Sequence, residues 1–296
     1  MMDNLKIINT IQSNERYDAY EAEFDGQKVF AKKAKMPKTE ELLRGVPKNS
    51  DVVNNLGAKS ASFTFRAPKT IASEANLLIT EWIDGQPLGA ILDKEPENIA
   101  TVLAKFFIVF DDEPVKPEGF RIIFTKEGLK SRMSQRLPKS LSEERKTVLK
   151  DAKKLFDELC ASLLPSLQDA DIKPEHIFLD PNKAGAYVLI DSEHLSPQWP
   201  RFYDLGNNIA KYWVRNQKEF SSILTRTFLQ GSKIAPDIIF RPLVATLLVR
   251  GISMHWETDY DPGAENYNIP RAQAMLKACL AANNLDDLLY LSTEDE

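Results

Sequence analysis

Over the first 85 residues the apolar positions fall in short runs that read as strands. Lys6-Ile-Ile-Asn-Thr10 and Ala19-Tyr-Glu-Ala-Glu-Phe24 alternate or run apolar. Asp25-Gly26 reads as a tight hairpin turn, because both residue types tolerate the positive φ such turns need, and Gln27-Lys-Val-Phe-Ala-Lys-Lys33 returns as the next strand. A stretch containing Pro and Lys follows, then a short helix around Asp51-Val-Val-Asn-Asn-Leu56. Ala75-Asn-Leu-Leu-Ile-Thr-Glu-Trp82 is nearly continuous in apolar residues, as in a strand buried on both faces, and it stops at the turn Asp84-Gly-Gln-Pro87. Beyond that point the period changes. Asn98 to Phe110 is apolar and helical, and Ser140-x-x-Glu143 has the form of a capping box. Val148, Ala152, Leu155, Phe156, Leu159 and Leu163 then recur at helical spacing until Pro165. Ile177-Phe-Leu-Asp180 and Tyr187-Val-Leu-Ile190 read as a hairpin around Pro181-Asn-Lys-Ala-Gly185, and helices fill the rest.

Composition narrows this little. A chain of 296 residues suits one large domain or two lobes, and 43% apolar with 27% charged residues is an ordinary globular balance. A formal charge of −5 speaks against a broad nucleic-acid surface while leaving room for a local phosphate pocket. No apolar run reads as long enough to cross a bilayer and no signal peptide is apparent, so a cytoplasmic protein without a membrane partner is expected. Cys160 and Cys279 read as buried free thiols. Three histidines without metal-ligand spacing argue against a zinc enzyme, with His194 and His255 read as structural. Trp256-Glu-Thr-Asp-Tyr-Asp261 mixes aromatics and carboxylates, a cation-binding pattern whose plainer reading is a solvated loop. Nothing in the sequence speaks to oligomeric state.

The candidate chemistry lies in residues 171–191. Phosphoryl transfer from a nucleoside triphosphate needs carboxylates for magnesium and for the attacking hydroxyl, and a cation for the α- and β-phosphates. A hairpin between Asp171 and Asp191 folds back on itself, so both aspartates emerge at one end, where a metal would offset their repulsion.

Four segments carry a resemblance. Asp171-Ile-Lys-Pro-Glu-His176-Ile-Phe-Leu-Asp180 resembles a kinase catalytic loop, and Leu189-Ile-Asp191 the metal-binding segment after it. Leu78-Ile-Thr-Glu81-Trp-Ile83-Asp-Gly-Gln-Pro-Leu88 and Phe202-Tyr-Asp204-Leu-Gly206 resemble the interlobe hinge and the Tyr-Asp-Leu-Ala element of the aminoglycoside phosphotransferase and choline kinase-like family. The resemblance spans roughly residues 5–215. It implies an α+β, two-lobed protein kinase-like fold: a small β-rich N-lobe over residues 1–85 and a larger helical C-lobe over 86–291 holding the catalytic loop and substrate site. Residues 292–296 are expected to be a disordered tail. It also implies an ATP- and Mg2+-dependent transfer to a hydroxyl of a small molecule.

Residue by residue, Asp171 would orient or deprotonate the hydroxyl, and Lys173, through the likeness of Asp171-Ile-Lys-Pro-Glu175 to protein kinase loops, would lie beside the γ-phosphate. Asp191 would bind magnesium, with His176 standing where the family usually has a metal-binding asparagine. Lys32 would hold the phosphates rather than Lys33, which alternation sends to the other face. Adenine would meet backbone groups of Glu81 and Ile83, and Asp204 would buttress the loop. The chain departs from the family in having Asp169-Ala170-Asp171 for His-Gly-Asp, where Asp169 is a further candidate metal or substrate contact. It also has Ser13-Asn-Glu-Arg16 in place of a glycine-rich loop. Glu40, Glu41 and Asp51 are the candidate partners of the phosphate lysine. Two other readings share these motifs: a protein kinase, disfavoured by the thirteen positions from Asp191 to Asp204, and a catalytically silent nucleotide-binding scaffold.

Overall fold

Alternation over residues 5–34 folds as a meander. Strands β1 (Leu5–Ser13), β2 (Tyr17–Phe24) and β3 (Gln27–Ala34) pair antiparallel in sequence order, with Asp25 and Gly26 at φ 49° and 78° in the turn between the last two. The structure, a computed structural model, describes residues 4–60, 63–114, 119–260 and 269–290, with side chains left out at 257–260 and 289–290. Helix α1 (Pro37–Lys59) follows, much longer than the turn or two expected around residues 51–56. Pro47 and Gly45 mask it in the sequence, yet Leu43, Val46, Ser50, Val53 and Leu56 form one buried stripe at helical spacing. Strands β4 (Phe65–Arg66), β5 (Thr70–Ser73) and β6 (Leu77–Glu81) complete the N-terminal elements, and the main sheet runs β1-β2-β3-β6-β5. One face buries Ala22, Phe24, Val29, Ala31, Leu77 and Ile79; Ala34 and Leu78 pack with Leu43 and Val46 of α1.

The chain continues through α2 (Pro96–Asp111), α3 (Lys126–Arg136), α4 (Glu143–Leu159), β7 (Pro165–Gln168), β8 (Ile177–Leu179), β9 (Tyr187–Leu189) and β10 (Ser196–Pro200). It ends in α5 (Tyr203–Val214), α6 (Lys218–Ser232), α7 (Pro236–Tyr260), α8 (Ile269–Ala281) and α9 (Leu285–Tyr290). The α4 cap is Ser142, whose hydroxyl accepts the Arg145 N–H, not Ser140 of the expected capping box. Pro165 opens a strand instead of merely ending a helix; β7 pairs antiparallel with β10.

Two compact units result, and they do not divide at residue 85. One comprises the chain up to Lys94 together with Asp171–Leu195; the other comprises Glu95–Ala170 and the chain from Ser196 on. Strand pairing explains the difference. β4 pairs in parallel with β9, which pairs with β8, so the hairpin assigned to the helical lobe clusters with the β-rich unit. The helical unit is built on α2, where Ile99, Leu103, Phe106, Phe107 and Phe110 are buried. Helix α7 is an exception to the expected lack of a long apolar run. Residues Pro236–Trp256 have a mean hydropathy of 1.3 and are long enough to cross a membrane, but 78% of that stretch is buried within the protein. It therefore reads as a core helix. Trp256 is itself buried in α7, so the loop expected from Trp256 is helix as far as Tyr260; the side chains of 257–260 and residue 261 lie outside the described residues. So do residues 292–296 of the expected tail.

Candidate active site

Residues 171–191 close on themselves as the hairpin predicts. Lys173 is extended and opens a 3-10 turn over Pro174–His176, in which the His176 N–H donates to the Lys173 carbonyl at 2.9 Å. β8 and β9 pair Ile177 with Leu189 and Leu179 with Tyr187, and the Ile190 N–H donates to the His176 carbonyl at 2.9 Å. That last bond ties the residue before Asp191 to His176, so the two ends of the hairpin meet. Asp180 turns the tip by accepting the Asn182 N–H, and Gly185 takes φ 72°. Arg66 clamps the same carboxylate from β4 through Nε at 2.7 Å and Nη2 at 3.2 Å.

Asp191 adopts left-handed backbone, φ 65° and ψ 48°, and leads into a 3-10 turn over Ser192–His194. Helix α1 holds that turn: Asn49 Nδ2 donates to the Ser192 carbonyl at 2.7 Å. From β3, Lys32 reaches the same place. Its Nζ lies 2.9 Å from Asp191 Oδ1 and 2.7 Å from Glu193 Oε2, and the residue is only 4% exposed. Lys33 is exposed on the opposite face, so the alternation argument holds.

The histidine links the two aspartates. His176 Nε2 lies 3.8 Å from Asp191 Oδ2, and Nδ1 lies 3.6 Å from Asp171 Oδ2. Lys173 folds onto Asp171, its Nζ at 2.9 and 3.1 Å from the two carboxylate oxygens. Burial opposes ionisation of Asp191, but Lys32 and then His176 and Lys173 outweigh it, so its carboxyl is held below the usual range. Lys32 shows the reciprocal effect: burial works against its charge, and Asp191 and Glu193 reverse that and raise its pKa. Burial lowers the pKa of His176 against the pull of Asp191 and Asp171, which favours the neutral imidazole.

These groups fit a divalent cation. One ligand atom from each of Asp171, His176 and Asp191 lies within 4.8 Å of the others, and His176 Nδ1 is buried without a hydrogen-bond partner among the described residues. Two carboxylates are the hard oxygen donors magnesium takes; the imidazole is a softer donor that can bind directly or through water.

Three expectations need correcting or completing. The lysine's acidic partner is not Glu40, Glu41 or Asp51: Glu40 pairs with Arg44, and Glu41 and Asp51 are exposed on α1. Glu193 takes the position, and the sequence offered it only as the second carboxylate of Asp191-Ser-Glu193. Asp169 is buried at 1% exposure, with its backbone N–H donating to Asp204 Oδ2 at 2.9 Å. Asp204, at the first turn of α5, thus holds the chain two residues before Asp171. Between them Ala170 sits at φ 69°, the left-handed conformation that suits the glycine of His-Gly-Asp. Glu81 ends β6, its side chain bonded to Arg66 and its N–H donating to the Lys69 carbonyl at 2.9 Å; Ile83 lies just beyond.

No protein-family model matches this sequence, and no curated protein matches it. Solved structures do. A thermostable mutant of aminoglycoside phosphotransferase APH(4)-Ia, in a ternary complex with ADP and hygromycin B, superposes with a TM-score of 0.66 at 13% identity, covering 93% of this chain and 94% of the other. A choline/ethanolamine kinase family protein from Mesorhizobium loti gives 0.61 at 14% identity, over 96% and 91%. Plasmodium vivax ethanolamine kinase gives 0.59 at 17% identity, over 93% and 81%. The chain therefore has the two-lobed, kinase-like α+β fold shared by aminoglycoside phosphotransferases and choline/ethanolamine kinases. At these identities the likeness establishes fold; function rests on the site.

Proposed function

We propose that this protein is a magnesium- and ATP-dependent phosphotransferase that acts on a hydroxyl group of a small molecule in the cytoplasm. The observation that carries the reading is the contact of Lys32 with Asp191 at 2.9 Å, two charged residues 159 positions apart brought together with the lysine buried and the aspartate partly buried. A fold has little reason to bury such a pair for stability alone, because desolvation offsets much of the attraction. Beside them stand Asp171 and His176, completing a cation and three metal-type ligands in one place. The bound complexes of the solved relatives, with ADP or AMP-PNP and hygromycin B, support the pairing of a nucleotide with a hydroxylated substrate.

In this reading Lys32 leaves Asp191 to hold the α- and β-phosphates, and Asp191 with His176 holds magnesium. Magnesium, when bound, neutralises charge developing on the transferred phosphoryl group. Asp171 orients the substrate hydroxyl and accepts its proton. Lys173, already on Asp171, can turn to the γ-phosphate and release that carboxylate for the hydroxyl. Adenine meets the backbone at Glu81 and Ile83; because the Glu81 N–H is already donated to Lys69, Glu81 contributes through its carbonyl.

A panel of amino alcohols, aminoglycosides, sugars and nucleosides, incubated with the protein and Mg·ATP and followed by 31P NMR, tests this. A new phosphate monoester resonance on one class of hydroxyl compound is expected. Phosphorylation confined to a protein acceptor, with every small molecule unmodified, would overturn the substrate assignment.

A further inference from the structure

The turn between β1 and β2 is where a glycine-rich loop would hold phosphates through free backbone amides, and here the amides of Asn14, Arg16 and Tyr17 are occupied. Asn14 Oδ1 accepts both the Arg16 N–H at 2.8 Å and the Tyr17 N–H at 2.9 Å, while the Asn14 N–H donates to the Tyr17 carbonyl at 3.1 Å. Lys35 closes the turn from just beyond the end of β3. Its N–H donates to the Arg16 carbonyl at 2.9 Å, and its ammonium bonds the Asn14 carbonyl at 2.8 Å and pairs with Asp18 at 2.6 Å. A phosphate could reach these three amides only by breaking this set.

What the turn offers instead is a guanidinium. Arg16 Nη2 lies 3.8 Å from Glu193 Oε1, beyond hydrogen-bond range, and the side chain is 50% exposed. Among the described residues it makes no side-chain hydrogen bond. The other oxygen of the same buried carboxylate holds Lys32 at 2.7 Å, and the ring of Tyr17, next to Arg16, lies 4.2 Å from Lys32 Nζ. Two cations thus approach one carboxylate from two sides, one committed and buried, the other half-exposed with its donors uncommitted. A loose, half-exposed ion pair costs little to exchange for another anion. The guanidinium fork suits phosphate oxygens in a way a single ammonium does not.

We propose that Arg16 binds the phosphate chain of the nucleotide, supplying from a side chain what a glycine-rich loop supplies from its backbone. The proposal rests on the reading of the protein as a nucleotide-dependent phosphotransferase, and it assigns a phosphate-binding residue outside the four segments that carry the family resemblance.

Isothermal titration of the full chain with AMP, ADP and ATP in the presence of magnesium, for the parent, Arg16→Gln and Arg16→Lys, decides it. Arg16→Gln should weaken ATP about ten-fold, the worth of one charge-assisted contact, while AMP changes less than about two-fold. Arg16→Lys should fall between, because it keeps the charge and loses the fork. Equal losses for all three nucleotides would assign Arg16 a structural role through Glu193, and no loss for any would remove it from the site; either result overturns the proposal. A parent that binds none of the three would overturn the phosphotransferase reading itself, an outcome distinct from a parent that binds ATP as tightly as its Arg16→Gln variant.

Discussion

At Asp191 the backbone enters the left-handed region, where a residue with a Cβ is strained by about 1 kcal/mol. Its carboxylate is held there by Lys32, and Asn49 fixes the following residue. Single residues of this kind divide into those the sequence exposes and those it hides. Lys32 was separable from Lys33 because a strand has a period of two, and the burial of one and exposure of the other follow directly. Glu193 was not, because its significance lies in a partner on β3 that no local pattern announces. A buried histidine in the helical unit gives a test at this scale. His255 is fully buried, and Arg145 Nη2 lies 3.1 Å from its Nδ1. A guanidinium only donates, so that nitrogen must accept, and the ring is neutral. Burial, and then the Arg145 charge, push its pKa from 6.5 down to about 4. Between those values the unfolded chain binds the proton and the folded one does not. Stability is therefore unaffected by His255 above pH 6.5 and declines as pH falls towards about 4. The decline amounts to roughly 3 kcal/mol across that window. Urea denaturation at stepped pH should show it, and His255→Gln should flatten it; an unchanged slope in the variant would assign the pH dependence elsewhere.

Elements were legible where their own period sufficed. The β2–β3 hairpin, β6 and the β8–β9 hairpin all stand where alternation and turn residues put them, and the hairpin brings Asp171 and Asp191 together. Elements whose existence depends on a distant partner were not legible. β4 is two residues long and is a strand only because β9, more than a hundred positions on, pairs with it; β7 and β10 define each other in the same way. Only a fragment of helix α1 is legible in the sequence, since Pro47 interrupts the local signal and the buried stripe that stabilises the helix spans both sides of it. The contact of α1 with β4 is close enough to test. A Cβ on Gly57 would meet the Phe65 carbonyl oxygen at 1.9 Å and its carbon at 2.9 Å, neither of which can move without shifting the strand. Gly57→Ala should therefore destabilise the protein by about 2–3 kcal/mol or more in chemical denaturation, although alanine is the better helix former. A variant as stable as the parent would mean that α1 and β4 are not in contact as described.

For the whole molecule, the sequence gives an α+β protein of two parts but places the division differently from the contacts. The β-rich unit is assembled from two separate stretches of chain, and the residues that meet at Lys32, Asp171, His176, Asp191 and Glu193 all belong to it. A linear reading divides a chain where its periodicity changes, whereas strand pairing joins segments regardless of their order. The same distinction explains why fold likeness to small-molecule kinases persists at 13–17% identity while no family model matches. The central claim is that these charges perform phosphoryl transfer, and water can serve as acceptor before any substrate is known. The measurement is therefore ADP release from ATP by the full chain, with magnesium and with a chelator, for the parent and for Asp171→Asn. Magnesium-dependent turnover that Asp171→Asn abolishes while still binding ATP is the predicted result. ADP release by Asp171→Asn at the parent's rate, or release indifferent to the chelator, would contradict the account.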